Sequence, residues 1–299
     1  MRVLIGGEDI GCSSITLRQS VFEYTTVLTF VTSIPVVSEE FVLETSSKTT
    51  FIPVRVEQVS RYNYQYVCYP KGYIEFLNSL TDPISIEGDT TDLFRALSIC
   101  KFEALQQTQR SRWVLPSMRG ISVVKKALET SSAVNGGCPC MFFTINGTLL
   151  FCDVIAECFD QAKGEFDGTL KSNATGLSFM NQVAGRVKFS FYTEDTFEER
   201  DVTFLENSGV VHALKYVVTE DQKEFEIRRY QSAFWRKYVA GSVSVFTEVQ
   251  STGLHPGLKY SNMSGRGDFI CISNTIELQG NFSKVSAEML PVIKPNQKL

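Results

Sequence analysis

Alternation of apolar and polar positions, rather than helical spacing, dominates this 299-residue chain. Ile15-Thr16-Leu17-Arg18-Gln19-Ser20 alternates cleanly, and residues 25–32 intersperse Thr with Val, Leu and Phe. Residues 51–59 and 62–69 continue the pattern. Successive side chains of a strand point to opposite faces, and β-branched and aromatic residues suit a pleated, half-buried surface. Residues 1–88 therefore predict one antiparallel, barrel-like β domain. The closing residues read the same way. Pro256-Gly257 predicts a turn, 269–272 an apolar strand, 276–279 a second strand, Gly280-Asn281 a turn and 282–290 a final strand.

The periodicity changes near Gly88. Asp89-Thr90-Thr91-Asp92 supplies capping side chains ahead of Leu93, Phe94, Leu97 and Ile99, whose spacing is helical. A second helix is expected over 122–131, with Val123, Val124, Ala127 and Leu128 on one face and Trp113 as its anchor. Residues 141–152 hold Asn146-Gly147 between two apolar runs, which predicts a hairpin with a two-residue type I′ turn and positive φ at both central residues. Residues 163–178 are rich in Gly, Asn and Ser and read as an exposed linker. Strands follow from 186 onward, interrupted by an irregular or helical segment near 231–238. The fold class is thus mainly β (β+α). Two barrel-like antiparallel β domains, residues 1–88 and 166–299, flank a small α/β insert of residues 89–165.

Composition narrows the function classes. A net charge of −4 and an acidic pI near 5.4 argue against a dedicated nucleic-acid binder. No apolar run approaches the roughly 20 residues of a membrane-spanning helix. The opening Met1-Arg2-Val3-Leu4-Ile5-Gly6-Gly7-Glu8-Asp9 meets acids too soon for a secretory signal, so synthesis and retention in a cytoplasm are expected. The eight cysteines are then expected to be reduced, and the sequons at Asn146, Asn173, Asn262 and Asn281 to be chance matches.

Cys138, Cys140, Cys152 and Cys158 are close enough in sequence to raise a zinc site. In the type I′ register Ile145 faces Thr148 and Cys140 faces Asp153, which places Cys138 and Cys140 on one face and Cys152 and Cys158 on the other. No metal site is expected on that ground. Ser208 places a hydroxyl near His212 in sequence, but neither His212 nor His255 has a nucleophile-and-base context. The acids of 192–201, including Asp195, Glu198 and Glu199, read as a solvated turn. Arg266-Gly267-Asp268 reads as a turn into the strand at 269–272. No phosphate-cradling glycine loop is present. No catalytic residue and no cofactor is therefore expected. Tyr230, Phe234, Trp235 and Arg236 combine aromatics with a guanidinium, as protein interfaces do, and are the candidate contact residues. A core role for Phe234 and Trp235 is the competing reading.

Three blocks carry a family resemblance. They are Val3-Leu4-Ile5-Gly6-Gly7-Glu8-Asp9-Ile10 with the strands after it, then Trp113, Gly120-Ile121-Ser122, Phe142-Phe143 and Gly147-Thr148-Leu149-Leu150-Phe151, and last the closing strands. Their order resembles the central baseplate hub proteins of contractile phage tails and the hub part of type VI secretion spike proteins. The resemblance implies a non-enzymatic homotrimer whose two similar barrels per subunit make a pseudo-sixfold ring. That ring would join the sixfold tail tube protein to a threefold central spike protein, among baseplate wedge proteins. The location implied is the virion tail baseplate, assembled in the host cytoplasm, with no nucleic acid and no membrane insertion. The alternatives are a tail-associated cell-wall glycan hydrolase and a capsid or shell β-sandwich protein.

Overall fold

The computed structural model describes residues 1–133, 135–172, 185–205, 211–249, 253–280 and 282–292. The chain opens with seven strands: β1 (Arg2–Ile5), β2 (Glu8–Asp9), β3 (Ser14–Ser20), β4 (Val27–Thr32), β5 (Phe41–Glu44), β6 (Lys48–Ser60) and β7 (Asn63–Pro70). A mixed segment follows: α1 (Lys71–Asn78), β8 (Ile84–Gly88), α2 (Thr90–Leu97), β9 (Lys101–Ala104), β10 (Ser111–Leu115), α3 (Gly120–Thr130), β11 (Pro139–Phe143), β12 (Thr148–Asp153) and α4 (Val154–Glu157). Then come β13 (Glu165–Phe166), β14 (Thr169–Ser172), β15 (Arg186–Tyr192), β16 (Phe197–Thr203) and β17 (Val211–Val217). The long helix α5 (Lys223–Ser242) leads to β18 (Ser244–Thr247), β19 (Lys259–Asn262), β20 (Asp268–Gln279) and β21 (Phe282–Pro291). The chain is mainly β, as its alternation predicts.

One sheet unites the two β-rich ends of the chain. Its strands run β14-β18-β21-β20-β3-β4-β7-β6-β5-β1-β2, with β19 also on β20 and β13 on β19. Among the described residues this path stays open, ending at β14 and β2, so the expected barrel-like domains are not closed barrels. The junction is β20, which pairs antiparallel with β3 over Ser273–Gln279 against Ser14–Ser20. The sequence predicts a break at residues 273–275, whereas β20 is continuous for 12 residues. Two of its buried polar side chains find hydrogen-bond partners elsewhere in the chain, which explains why the strand survives them. Ser273 Oγ donates to Glu288, and Asn274 Nδ2 donates to the Leu254 carbonyl at 2.9 Å. Alternation along β20 sends Phe269 and Cys271 into the core of Phe166, Phe246 and Met289, and Ile270 and Ile272 into that of α5.

The N-terminal core is aromatic: Phe30 stacks on Tyr66 with ring centroids 4.8 Å apart, and Phe41 meets Phe30 edge-on at 4.9 Å. Residues 71–78, expected to be strand, form α1. Pro70 ends β7, and Tyr73 and Phe76 bury themselves at helical i, i+3 spacing. Of the two capping candidates Asp89 and Thr90, Asp89 caps α2, in a capping box with Asp92, and Thr90 is the first helical residue. Trp113 does anchor α3: it packs among Val123, Val124, Ala127 and Leu128 and donates Nε1–H to the Gly88 carbonyl at 3.1 Å.

The central hairpin differs from its expected register by one residue. Cys140 faces Cys152 and Pro139 faces Asp153. Gly147 N–H donates to the Thr144 carbonyl at 3.0 Å, and Thr144 N–H donates to the Thr148 carbonyl at 2.9 Å. Gly147 has φ +75°, while Asn146 is not among the residues of positive φ. This is a three-residue loop, a type I turn followed by a left-handed glycine, and not a type I′ turn. Open space surrounds Gly147, so only its backbone conformation demands glycine there.

The segment expected near 231–238 is α5, a helix of 20 residues. Ile227, Gln231, Phe234, Trp235, Tyr238 and Val239 form its buried stripe, and the intervening Glu and Arg residues mask it in the sequence. The acidic run also departs from expectation. Only 193–196 is turn; Tyr192 ends β15 and the rest is β16, where Glu199 pairs with Lys188 at 2.8 Å and Asp201 with Arg186 at 3.1 Å. Glu198 lies between Arg200 and Lys223, whose hydrogen bonds hold its carboxyl down at about 2. Of the expected linker, residues 163–172 hold β13 and β14, and 173–178 lie outside the described residues. So do Ser208, Asn281 and the sequon at Asn173.

Candidate functional site

Helix α5 seats on the start of β11 through two glycines. A Cβ on Gly137 would lie 2.6 Å from the Trp235 ring, and one on Gly136 would lie 2.2 Å from Asp153 Oδ2. Gln231 Nε2 donates to the Gly136 carbonyl at 3.4 Å, and Arg236 Nη2 donates to the Pro139 carbonyl at 3.1 Å. Among the four candidate contact residues, Trp235 is 1% exposed and Phe234 5%. Phe234 stacks on Phe204 at 5.3 Å and meets Trp235 edge-on at 4.9 Å, inside the core that also holds Cys138, Phe189 and Phe191. Tyr230 is half-buried with its hydroxyl 3.1 Å from His212 Nδ1, and Arg236 is exposed. The structure thus gives Phe234 and Trp235 to the chain's own core and leaves Arg236 and part of Tyr230 at the surface.

Asp153, at the end of β12, is fully enclosed. Its oxygens accept from the backbone N–H groups of Ala133, Gly137, Cys138, Ile155 and Ala156 at 3.0–3.3 Å. One carboxylate therefore ties the loop before β11 to the N-terminus of α4. Burial pushes its carboxyl above the ordinary value, against the pull of those N–H donors. Four residues on, Glu157 is also buried. Gln106 Nε2 donates to it at 2.5 Å and the Lys259 N–H at 2.9 Å, joining the mixed segment to β19. Both carboxylates serve the chain's own amides inside the core rather than face a cleft, so they do not form a catalytic pair for a glycan.

Burial raises the Glu157 carboxyl from its ordinary 4.5 to about 7. Because the folded value exceeds the unfolded one, the stability it contributes is full below pH 4.5 and is lost as pH rises through about 7. Denaturant unfolding across this window should show wild type losing up to about 3 kcal/mol relative to Glu157→Gln. A wild-type-to-variant difference that stays constant with pH refutes this.

The corrected hairpin register overturns the face argument for the thiols. Cys140 and Cys152 are cross-strand partners, so Cys138, Cys140 and Cys152 share a buried face of the hairpin. Among the described residues no three His, Cys, Asp or Glu side chains are arranged to hold a metal ion, and none of the cysteines is in a disulfide bond. His255 donates its backbone N–H to the Tyr260 hydroxyl at 2.9 Å. Asp268 of the Arg-Gly-Asp stretch accepts from Ser261 Oγ at 2.6 Å in a turn with Gly265 and Gly267 at positive φ.

The sequence matches no protein-family model and no curated protein. Solved structures supply the likeness. The 43 kDa tail protein of prophage MuSo2 from Shewanella oneidensis superposes with a TM-score of 0.63 over 97% of this chain and 98% of its own, at 8% identity. A tail protein from Neisseria meningitidis MC58 gives 0.61 over 97% and 95%, at 10% identity. The fold is that of phage tail proteins. An Escherichia coli component of the type VI secretion system, itself structurally similar to two bacteriophage T4 tail proteins, gives 0.52 over 98% of this chain and 78% of its own, at 9% identity. At such identities the shared property is the fold.

Proposed function

We propose that this chain is a non-enzymatic structural hub of a phage tail baseplate. Three copies form a ring that joins the sixfold tail tube protein to the threefold central spike protein, with baseplate wedge proteins around it. Its place is the virion tail baseplate, assembled in the host cytoplasm. The observation that carries this reading is the likeness to two tail proteins over nearly the whole length of each chain. The likeness to a type VI secretion component agrees with a part at the tube-to-spike junction. The β-rich parts at residues 1–88 and 166–299 would supply the two similar elements each subunit gives the ring, with the helix-and-hairpin segment of 89–165 between them. The test is solution mass by light scattering together with imaging of the native tail. A particle of three 33.6 kDa chains that caps isolated tail tubes supports the reading. A chain that stays monomeric within its native particle sinks it.

A further inference from the structure

Two surface features of opposite character stand out. The first is an open groove of about 360 Å³ between α3 and α5. Lys125, Arg229 and Arg236 line it, with Leu128 and the 37%-exposed ring of Tyr24 as its apolar wall. Its one carboxylate, Glu129, lies 3.9 Å from Lys126. Lys125 has no ion-pair partner among the described residues, and Arg229 pairs only with Glu226 on its own helix, at 3.1 Å. This is a concentration of cations on a chain of net charge −4.

The second feature is the tip of the β15–β16 hairpin. The turn closes through Thr193 N–H to the Thr196 carbonyl and Thr196 N–H to Thr193 Oγ1, both at 2.9 Å. It holds Glu194 and Asp195 out to solvent, and neither has an ion-pair partner among the described residues. Beside them Tyr192 and Phe197 pack against each other with centroids 4.9 Å apart, yet remain substantially exposed. An exposed aromatic pair flanking two free carboxylates is the chemical complement of a groove with cationic and apolar walls.

We propose that the groove between α3 and α5 receives the 193–196 turn of a second copy of this chain. Glu194 and Asp195 meet Lys125, Arg229 and Arg236, and Phe197 covers the Tyr24–Leu128 wall. Guanidinium–carboxylate pairing fixes orientation as well as attraction. The two surfaces are different patches, so the contact is head-to-tail and repeats from copy to copy, as a closed ring requires. The inference rests on the ring reading above and assigns the contact that would build it.

Sedimentation of the full chain in 0.15 M salt tests it, with circular dichroism as the folding check. Lys125→Glu with Arg229→Glu should weaken self-association about tenfold or more, and Glu194→Lys with Asp195→Lys should do the same from the fully exposed side. A single chain carrying all four reversals should recover association, because each groove then meets a turn of opposite charge. If both reversals assemble as the wild type does, the ring stands and this contact is refuted. If each pair of reversals weakens association but the fourfold variant shows no recovery, direct pairing is refuted. A wild-type chain that remains monomeric at every concentration removes the ring reading itself.

Discussion

Trp235→Ala is expected to lower the unfolding free energy by about 3–5 kcal/mol, the range for removing a fully buried large aromatic side chain. The ring is 1% exposed, meets Phe234 and Tyr238 edge-on at 4.9 and 5.5 Å, and lies against Gly137. No neighbouring backbone can collapse into the space, because the Gly136–Gly137 stretch is pinned by Asp153. Denaturant unfolding followed by circular dichroism gives the measurement. A variant as stable as the wild type that has lost only self-association would return Trp235 to the surface role its composition suggests.

Asp153→Ala should be at least as damaging for a different reason. It removes no large apolar group but leaves buried N–H groups of Ala133, Gly137, Cys138, Ile155 and Ala156 without their acceptor. Each orphaned donor costs about 1–3 kcal/mol when water cannot replace the acceptor, and relaxation of the loop will recover part of the total. A loss of about 3–5 kcal/mol, with the Ala133, Gly137 and Cys138 amides losing hydrogen-exchange protection first, is the expected result. A loss under about 1 kcal/mol would mean that water enters and takes over the carboxylate's role.

The sequence revealed most where local chemistry decides the outcome. The Asp89 cap, the Trp113 anchor and the alternation of the opening strands follow from neighbours along the chain, and the structure keeps them. It revealed least where a distant partner decides. Asn274 reads as a strand breaker until Leu254 supplies its acceptor, and 231–238 reads as an irregular or helical segment until the packing of its buried stripe shows a helix of 20 residues. The hairpin register depended on a choice between two turn types that Asn146-Gly147 alone leaves open, and the shift by one residue moved Cys152 onto the face of Cys140. Asp153 looked like an ordinary acid at a strand end. Its role is visible only once the glycines that approach it are in place. The groove between α3 and α5 combines residues about a hundred positions apart, and no pattern along the chain announces it.

The pairing of β20 with β3 has a consequence for how the chain is made. Ser14–Ser20 emerges from the ribosome long before Ser273–Gln279, so one edge of β3 has no native neighbour for most of synthesis. An unpaired edge in an alternating, β-branched strand is a template for association with other chains. Contacts this remote in sequence also slow the search for the native arrangement. Newly made chains should therefore depend on holding factors, or on low concentration, until the last strands close the gap, and truncation before residue 268 should yield aggregate rather than a smaller folded unit.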